Sequence, residues 1–320
     1  MVPNRVRLAD RLGNSGAIRL FRAPLLAVLL IAACTPIAQS GPTPTATPLA
    51  IPSATSLTSS TPPPPPSPSP SATAPTRVFV VVMENTPLAV ALRSPLIARL
   101  ASSYALAANY HAVASPSLPN YLALTSGSTW GVTDDEYHPL PAGGIGQQLT
   151  QAGISWRAYM EGLTAAGCKG SPYPYAFKHN PFAYYGGECP TNVVPLGALD
   201  ADLAGNAPRF VWITPGLCHD GHDCALAEAA VWLDGMVSRI VASAAWREHG
   251  VLFVVWDEGD GSDDLVPLIA AAPGLAPHRV TTLYDHYSLL AAMEDLLGVP
   301  RLGAAASADP LTEVLAGRGP

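Results

Sequence analysis

The chain has 320 residues, a formal net charge of −7, and 48% hydrophobic against 13% charged residues. This composition excludes a wholly disordered chain, and the acidic balance argues against a nucleic-acid partner. The length allows one large domain or two small ones.

Residues 1–33 read as an export signal. Arg5, Arg7, Arg11, Arg19 and Arg22 face a single acid, Asp10, and an uncharged apolar run follows from Ala23 to Ala33. A basic region before a short apolar one is the signature of a secretory leader, and the run is too short for a spanning helix. It ends in Leu30-Ile31-Ala32-Ala33-Cys34, which resembles the lipobox of bacterial lipoproteins. The expectation is lipidation at Cys34, with an ordinary secretory signal as the alternative. The protein would then stand on the outer face of the cell membrane through an N-terminal lipid anchor, or be secreted.

Residues 34–76 are rich in Pro, Ser and Thr, carry no charge, and include five consecutive prolines at Pro62–Pro66. No core can be built from them, so they read as a disordered tether with polyproline-II character. The folded domain is expected at 77–320. Its four remaining cysteines, Cys168, Cys189, Cys218 and Cys224, allow three pairings. An even count in an exported chain favours disulfides over a metal site, and Cys168–Cys189 with Cys218–Cys224 close the shortest loops.

Within that domain the pattern alternates. Val78–Met83 is a continuous β-branched run, as in a strand buried on both faces. Leu88–Asn109 reads as largely helical. Ile154–Met160 and Arg209–Thr214 read as strands, Ala225–Ala242 as a helix, and Val251–Trp256 and Val266–Ala271 as further strands. Tyr287–Leu297 reads as a helix capped by Gly298. Alternation of this kind predicts an α/β fold, a mostly parallel central sheet with helices on both faces.

Polar clusters follow the apolar strands. Glu84-Asn85 follows the first, Asp257-Glu258 follows Val251–Trp256, and His219-Asp220-Gly221-His222-Asp223 follows Arg209–Thr214. Ligands bind at the carboxyl ends of strands in open α/β sheets. One such acid is ordinarily a helix cap, whereas doublets after the two most apolar strands point to a shared site. Oxygen donors of this kind suit a hard divalent cation, and added His suits zinc or iron. Ser117 stands at the start of a helical stretch, among free N–H groups and the positive end of the dipole. A nearby metal would turn its hydroxyl into a nucleophile; by itself such a Ser is only a cap.

Taken in order, Met83-Glu84-Asn85, Ser115 to Gly127, Lys178-His179-Asn180-Pro181-Phe182, Asp220-Gly221-His222-Asp223-Cys224, Trp256-Asp257-Glu258 and Asp285-His286-Tyr287-Ser288 resemble the bacterial phosphoesterase family of acid phosphatases and phospholipases C. That family is similar in fold to alkaline phosphatase. The resemblance implies a divalent metal ion held by Glu84, Asn85, Asp257, Glu258 and Ser117 Oγ. It implies Ser117, His179 and His222 as catalytic groups, with Asn120, Asp220 and His286 binding substrate or standing behind it. Two positions depart from the family: Ser115 where His is usual, and His219 where Asn is usual.

The implied function is metal-dependent hydrolysis of phosphoric esters through a phosphoserine, most simply an acid-phosphatase-like monoesterase. The substrate would be a phosphorylated small molecule or a lipid headgroup. A phosphodiesterase or phospholipase C shares the same core, and an inactive surface-binding lipoprotein is the alternative from another class. Aromatic residues around His179, from Tyr173 to Tyr185, suit either a pocket wall or a packed loop. His111 is a further residue able to approach the site, whereas His138 and His278 read as solvated and His249 as a helix-end residue.

Overall fold

The computed structural model describes residues 75–318. The leader, Cys34 and the tether up to residue 74 lie outside the described residues. Nine strands form one sheet: β1 Arg77–Met83, β2 Ala105–His111, β3 Trp156–Met160, β4 Val193–Pro195, β5 Phe210–Thr214, β6 Gly250–Trp256, β7 Leu265–Ala271, β8 Arg279–Val280 and β9 Tyr284–Asp285. The spatial order is β4-β3-β5-β1-β6-β7-β2-β8, with β9 also pairing β2. Every pairing is parallel except those of β7 with β6 and β2. The helices are α1 Leu88–Ala91, α2 Pro95–Ser103, α3 Ser117–Ser126, α4 Gly144–Gln151, α5 Leu199–Ala204, α6 Leu226–Ala242, α7 Ala244–His249 and α8 His286–Leu297.

The centre of the sheet follows from side-chain chemistry. β1 and β6 pair along their whole length, and their apolar side chains are buried on both faces. Each buried Val, Leu or Phe of such a strand stabilises the fold by roughly 1.5–3 kcal/mol. Parallel neighbours need crossover connections, and these carry the helices. Since β1, β5 and β6 run the same way, their carboxyl ends lie at one edge. The residues just after them, Glu84, the 216–224 loop and Asp257-Glu258, are therefore neighbours in space.

One expected element is corrected. Leu88–Asn109 is helical only up to Ser103, as α1 and then α2, and Ala105–His111 is β2. Its Ala-Leu-Ala-Ala sequence favours helix locally, but the strand sits between β7 and the short β8 and β9. Pairing on both sides outweighs a propensity preference of a few tenths of a kcal/mol per residue. The pairing of β2 with β7 slips by a residue between Ala107 and Tyr110. Bulges of this kind re-aim the next side chain, and Tyr110 beyond it reaches the buried His286.

The disulfides are Cys168–Cys189 and Cys218–Cys224. The second closes the loop that carries Asp220 and His222. Gly298 caps α8 with φ of 74°, a left-handed conformation that favours glycine. Among the described residues, no helix is long and apolar enough to cross a membrane.

Candidate active site

Ser117 is the first residue of α3, after Pro116. Its hydroxyl lies 3.0 Å from Glu84 Oε2 and 3.2 Å from Glu258 Oε1, so one donor is shared between two buried carboxylates. Burial pushes the Glu258 carboxyl up, and the neighbouring Ser115 and Ser117 hydroxyls work against that rise without cancelling it. The two strand-end segments are tied together by main chain. Asp257 N–H donates to the Met83 carbonyl and Thr86 N–H to the Glu258 carbonyl. Asn85, at φ 51°, donates its N–H to Asp257 Oδ1 at 3.3 Å. That left-handed geometry is uncommon outside glycine, but Asn tolerates it better than most residues.

The third loop enters through Glu84 N–H, which donates to the Asp220 carbonyl at 3.0 Å. Asp220 Oδ1 accepts the His222 N–H at 2.8 Å. His179 is buried between two acids, with Nε2 3.2 Å from Glu84 Oε1 and Nδ1 3.4 Å from Asp220 Oδ2. Neither ring nitrogen is aligned for a hydrogen bond, and Asp220 Oδ2 and Asp257 Oδ2 are also without partners. Glu84, His179 and Asp220 each bring a donor atom within 4.8 Å of the others.

The electrostatics are those of crowded buried acids. Burial, with Asp257 and Asp220 adding to it, pushes Glu84 well above the usual carboxylate range. Burial and neighbouring Glu258 push Asp257 up to about 8. Burial likewise pushes Asp220 up to about 7. Desolvation and then the Lys178 charge keep His179 well below its ordinary value, hence neutral. Like charges packed out of water must take up protons or a cation. Orphaned carboxylate oxygens beside a neutral imidazole are the donor set a divalent cation takes.

Asn120 and His286 are placed with their polar atoms already used. Asn120 Oδ1 accepts from Val113 and Ala114 N–H, and Nδ2 donates to the Ala114 and Pro116 carbonyls. That fills the capacity of an amide side chain, so Asn120 clamps the loop that delivers Ser117. His286 is buried, with Nε2 against the Asp257 carbonyl and Nδ1 2.8 Å from the Tyr110 hydroxyl. It therefore stands behind Asp257. His222 lies on the rim, with Nδ1 2.7 Å from Asp223 Oδ1.

Three residues matter that sequence reasoning gave no role. Tyr121 donates to Glu84 Oε1 at 2.7 Å and stacks on His179 at 5.1 Å. It lies one helical turn after Ser117 on α3, a spacing that places both on one face. Asp135 accepts the Leu118 N–H at 3.0 Å, and Lys178 pairs with Asp135 at 2.7 Å. Asp135 was unreadable because it belongs to the loop after α3, outside the quoted motifs. His111 is engaged with Asp264 and Asn109. His138 pairs with Asp134, and His278 bonds the Glu313 carbonyl. Of the aromatic stretch, Tyr175, Phe182 and Tyr184 are packed inside and Tyr173 is exposed. A cleft of about 370 Å³ opens beside Ser115 and Glu258, walled by Ala112–Ala114 and by the loop from Gly259 to Asp264.

A strand-end acid cluster thus faces a helix-borne serine at one edge of this sheet. A protein of the alkaline phosphatase superfamily from Vibrio parahaemolyticus has the same fold, with a TM-score of 0.52 at 11% identity over 71% of this chain and 67% of that one. The Phosphoesterase family matches residues 90–300, and the chain belongs to it. It is 32% identical over 248 residues to a phosphatidylinositol-3-phosphatase of Mycobacterium tuberculosis, covering 74% of this chain and 82% of that protein. It is 28% identical over 241 residues to a phosphate-repressible acid phosphatase of Penicillium chrysogenum, covering 69% of this chain and 58% of that enzyme. The chain is thus a phosphoric ester hydrolase.

Proposed function

We propose that the protein is a metal-dependent phosphomonoesterase of the acid phosphatase kind, working through a phosphoserine at Ser117. The observation that carries this reading is the Ser117 hydroxyl, held at a helix N-terminus between Glu84 and Glu258. A divalent cation held by Glu84, Asn85, Asp257, Glu258 and Ser117 would supply charge neutralisation and lower the serine pKa. Glu84, His179 and Asp220 form an adjoining donor set.

The chain's own residues do the rest. Asn120 fixes the loop before Ser117, so the nucleophile enters the reaction already placed. With the Leu118 N–H bonded to Asp135 and Pro119 offering none, the Ser117 N–H at the positive end of α3 is the first-turn donor left for developing negative charge on the phosphoryl oxygens. Ser117 Oγ, its proton already lost to solvent, attacks phosphorus in line and the bond to the leaving alcohol breaks; the same alkoxide leaves when the phosphoserine opens. His222 keeps a proton on Nδ1 against Asp223, so Nε2 is the atom that gains and gives protons. In its protonated form it gives one to the leaving oxygen. It then takes one from the water that opens the phosphoserine, releasing phosphate. His286 holds the Asp257 main chain and Tyr121 holds Glu84, both away from the substrate.

A phosphorylated lipid headgroup is the second substrate class, favoured by the phosphatidylinositol-3-phosphatase that this chain covers over most of its length. The leader, the lipidation at Cys34 and the tether at 34–76 complete the proposal by holding domain 77–320 near a membrane surface. Two disulfides fit such an oxidising location. The test compares mono- and bis-nitrophenyl phosphate, with and without chelator. The reading expects monoester preference and loss of turnover on chelation. Diester preference would move it to a phosphodiesterase or phospholipase C. A folded, metal-loaded protein inert on both would support the binding lipoprotein.

A further inference from the structure

The chain has only two lysines among its 17 Lys and Arg residues, Lys169 and Lys178. Lys178 lies at the acid cluster, half-buried, and its charge is felt at Glu84, Asp220, Glu258 and His179. Its Nζ is 2.7 Å from Asp135 Oδ2 and 3.3 Å from His222 Nε2. With the His222 Nδ1 proton committed to Asp223, Nε2 is an acceptor, and Lys178 donates to it. Two of three ammonium protons are thereby accounted for, leaving the third. The other oxygen of Asp135 accepts the Leu118 N–H next to Ser117. One carboxylate therefore joins Lys178 to the first turn of the nucleophile helix.

We propose that Lys178 is a phosphate-binding residue, held by Asp135 at the mouth of the site so that its ammonium contacts a non-bridging oxygen of the phosphoryl group. The inference rests on the proposed phosphatase reading and adds the group that recognises the substrate's dianion. A lysine is the right cation here. It is a compact point charge whose donors rotate, and it can exchange His222 for a phosphate oxygen without losing Asp135. On that exchange His222 Nε2 is released to carry a proton. Asp135 is a positioning residue, acting through Lys178 and the Leu118 N–H.

The test measures the inhibition constant for inorganic phosphate and the KM and kcat for nitrophenyl phosphate, on the whole chain. Lys178→Met should weaken phosphate at least about tenfold, the loss expected for a charge-assisted hydrogen bond. Lys178→Arg should recover part of it. Asp135→Asn keeps an oxygen for Leu118 and should lose less phosphate affinity than Lys178→Met. Unchanged phosphate inhibition in Lys178→Met overturns the proposal. So does an equal loss in Asp135→Asn, which marks Lys178 as a mere strut. If Lys178→Met does not fold, Lys178→Gln takes its place under the same criteria. A wild-type protein without phosphomonoesterase activity refutes the proposed function instead. An active wild type matched by Lys178→Met refutes only the role of Lys178.

Discussion

The Tyr121 hydroxyl donates to Glu84 Oε1 at 2.7 Å while its ring lies flat against His179, 5.1 Å away. One side chain thus orients Glu84 and the imidazole beside it from the helix that carries Ser117. Tyr121→Phe keeps the stack and removes the hydrogen bond. It should cost about 1–2 kcal/mol in denaturant unfolding, as expected for an unpaired buried acceptor. It should also lower kcat/KM, and weaken activation by added divalent cation because Glu84 loses its orientation. Titration of the apo variant with cation, followed by activity, checks this.

Asn120 makes a different prediction, because its bonds reach only main chain. Asn120→Ala removes four hydrogen bonds from the loop at 113–116. A stability loss of about 2–3 kcal/mol is expected from a dismantled buried network. The kinetic loss should fall on kcat, since the nucleophile is misplaced while the phosphate-binding groups remain. A rise in KM alone would instead assign Asn120 to substrate contact.

The pH dependence of stability has a source remote from the site. Glu294 on α8 is buried, with Oε1 accepting the Leu302 N–H and Oε2 without a partner. Burial pushes its carboxyl up to about 8. Between its unfolded pKa near 4.5 and that value, the folded state binds a proton that the unfolded state does not. Its contribution to stability therefore falls as pH rises through that window. Glu294→Gln removes the titration. The variant should gain on the wild type progressively from about pH 5 to about pH 8, and the difference should level off above. Melting temperatures across pH test this.

Cation binding should stabilise the fold, since it neutralises acids that otherwise crowd one another. Saturating divalent cation at a hundred times Kd should contribute about 2.7 kcal/mol by linkage. Chelation should lower the melting temperature, and Asp257→Asn should shrink the difference between loaded and chelated protein. Equal melting with and without cation would speak against a resident metal.

Much of the fold was legible because burial on both faces leaves a mark in sequence. Val78–Met83 and Val251–Trp256 can only be central strands, and the polar residues after them had to meet at one edge. The cap at Gly298 was equally plain. β2 was not legible, because Ala105–Ala108 is held as strand by partners distant in sequence. The reversed direction of β7 leaves no trace in its own composition. At the site, Glu84, Ser117 and Asp257-Glu258 could be found from strand ends and a helix start. Whether a polar side chain faces substrate or main chain is not written in its identity, and Asn120 and His286 show this. Asp135 needed the fold, because within Asp134-Asp135-Glu136 nothing local tells which acid turns toward Leu118 and Lys178.

The most direct test of the account is mass spectrometry of enzyme acid-quenched during turnover of nitrophenyl phosphate, run beside Ser117→Ala and Ser115→Ala. The account predicts phosphate on the peptide containing Ser117 in the wild type. It predicts almost no turnover in Ser117→Ala and substantial turnover in Ser115→Ala. Turnover persisting in Ser117→Ala, with no phosphopeptide in the wild type, would contradict it.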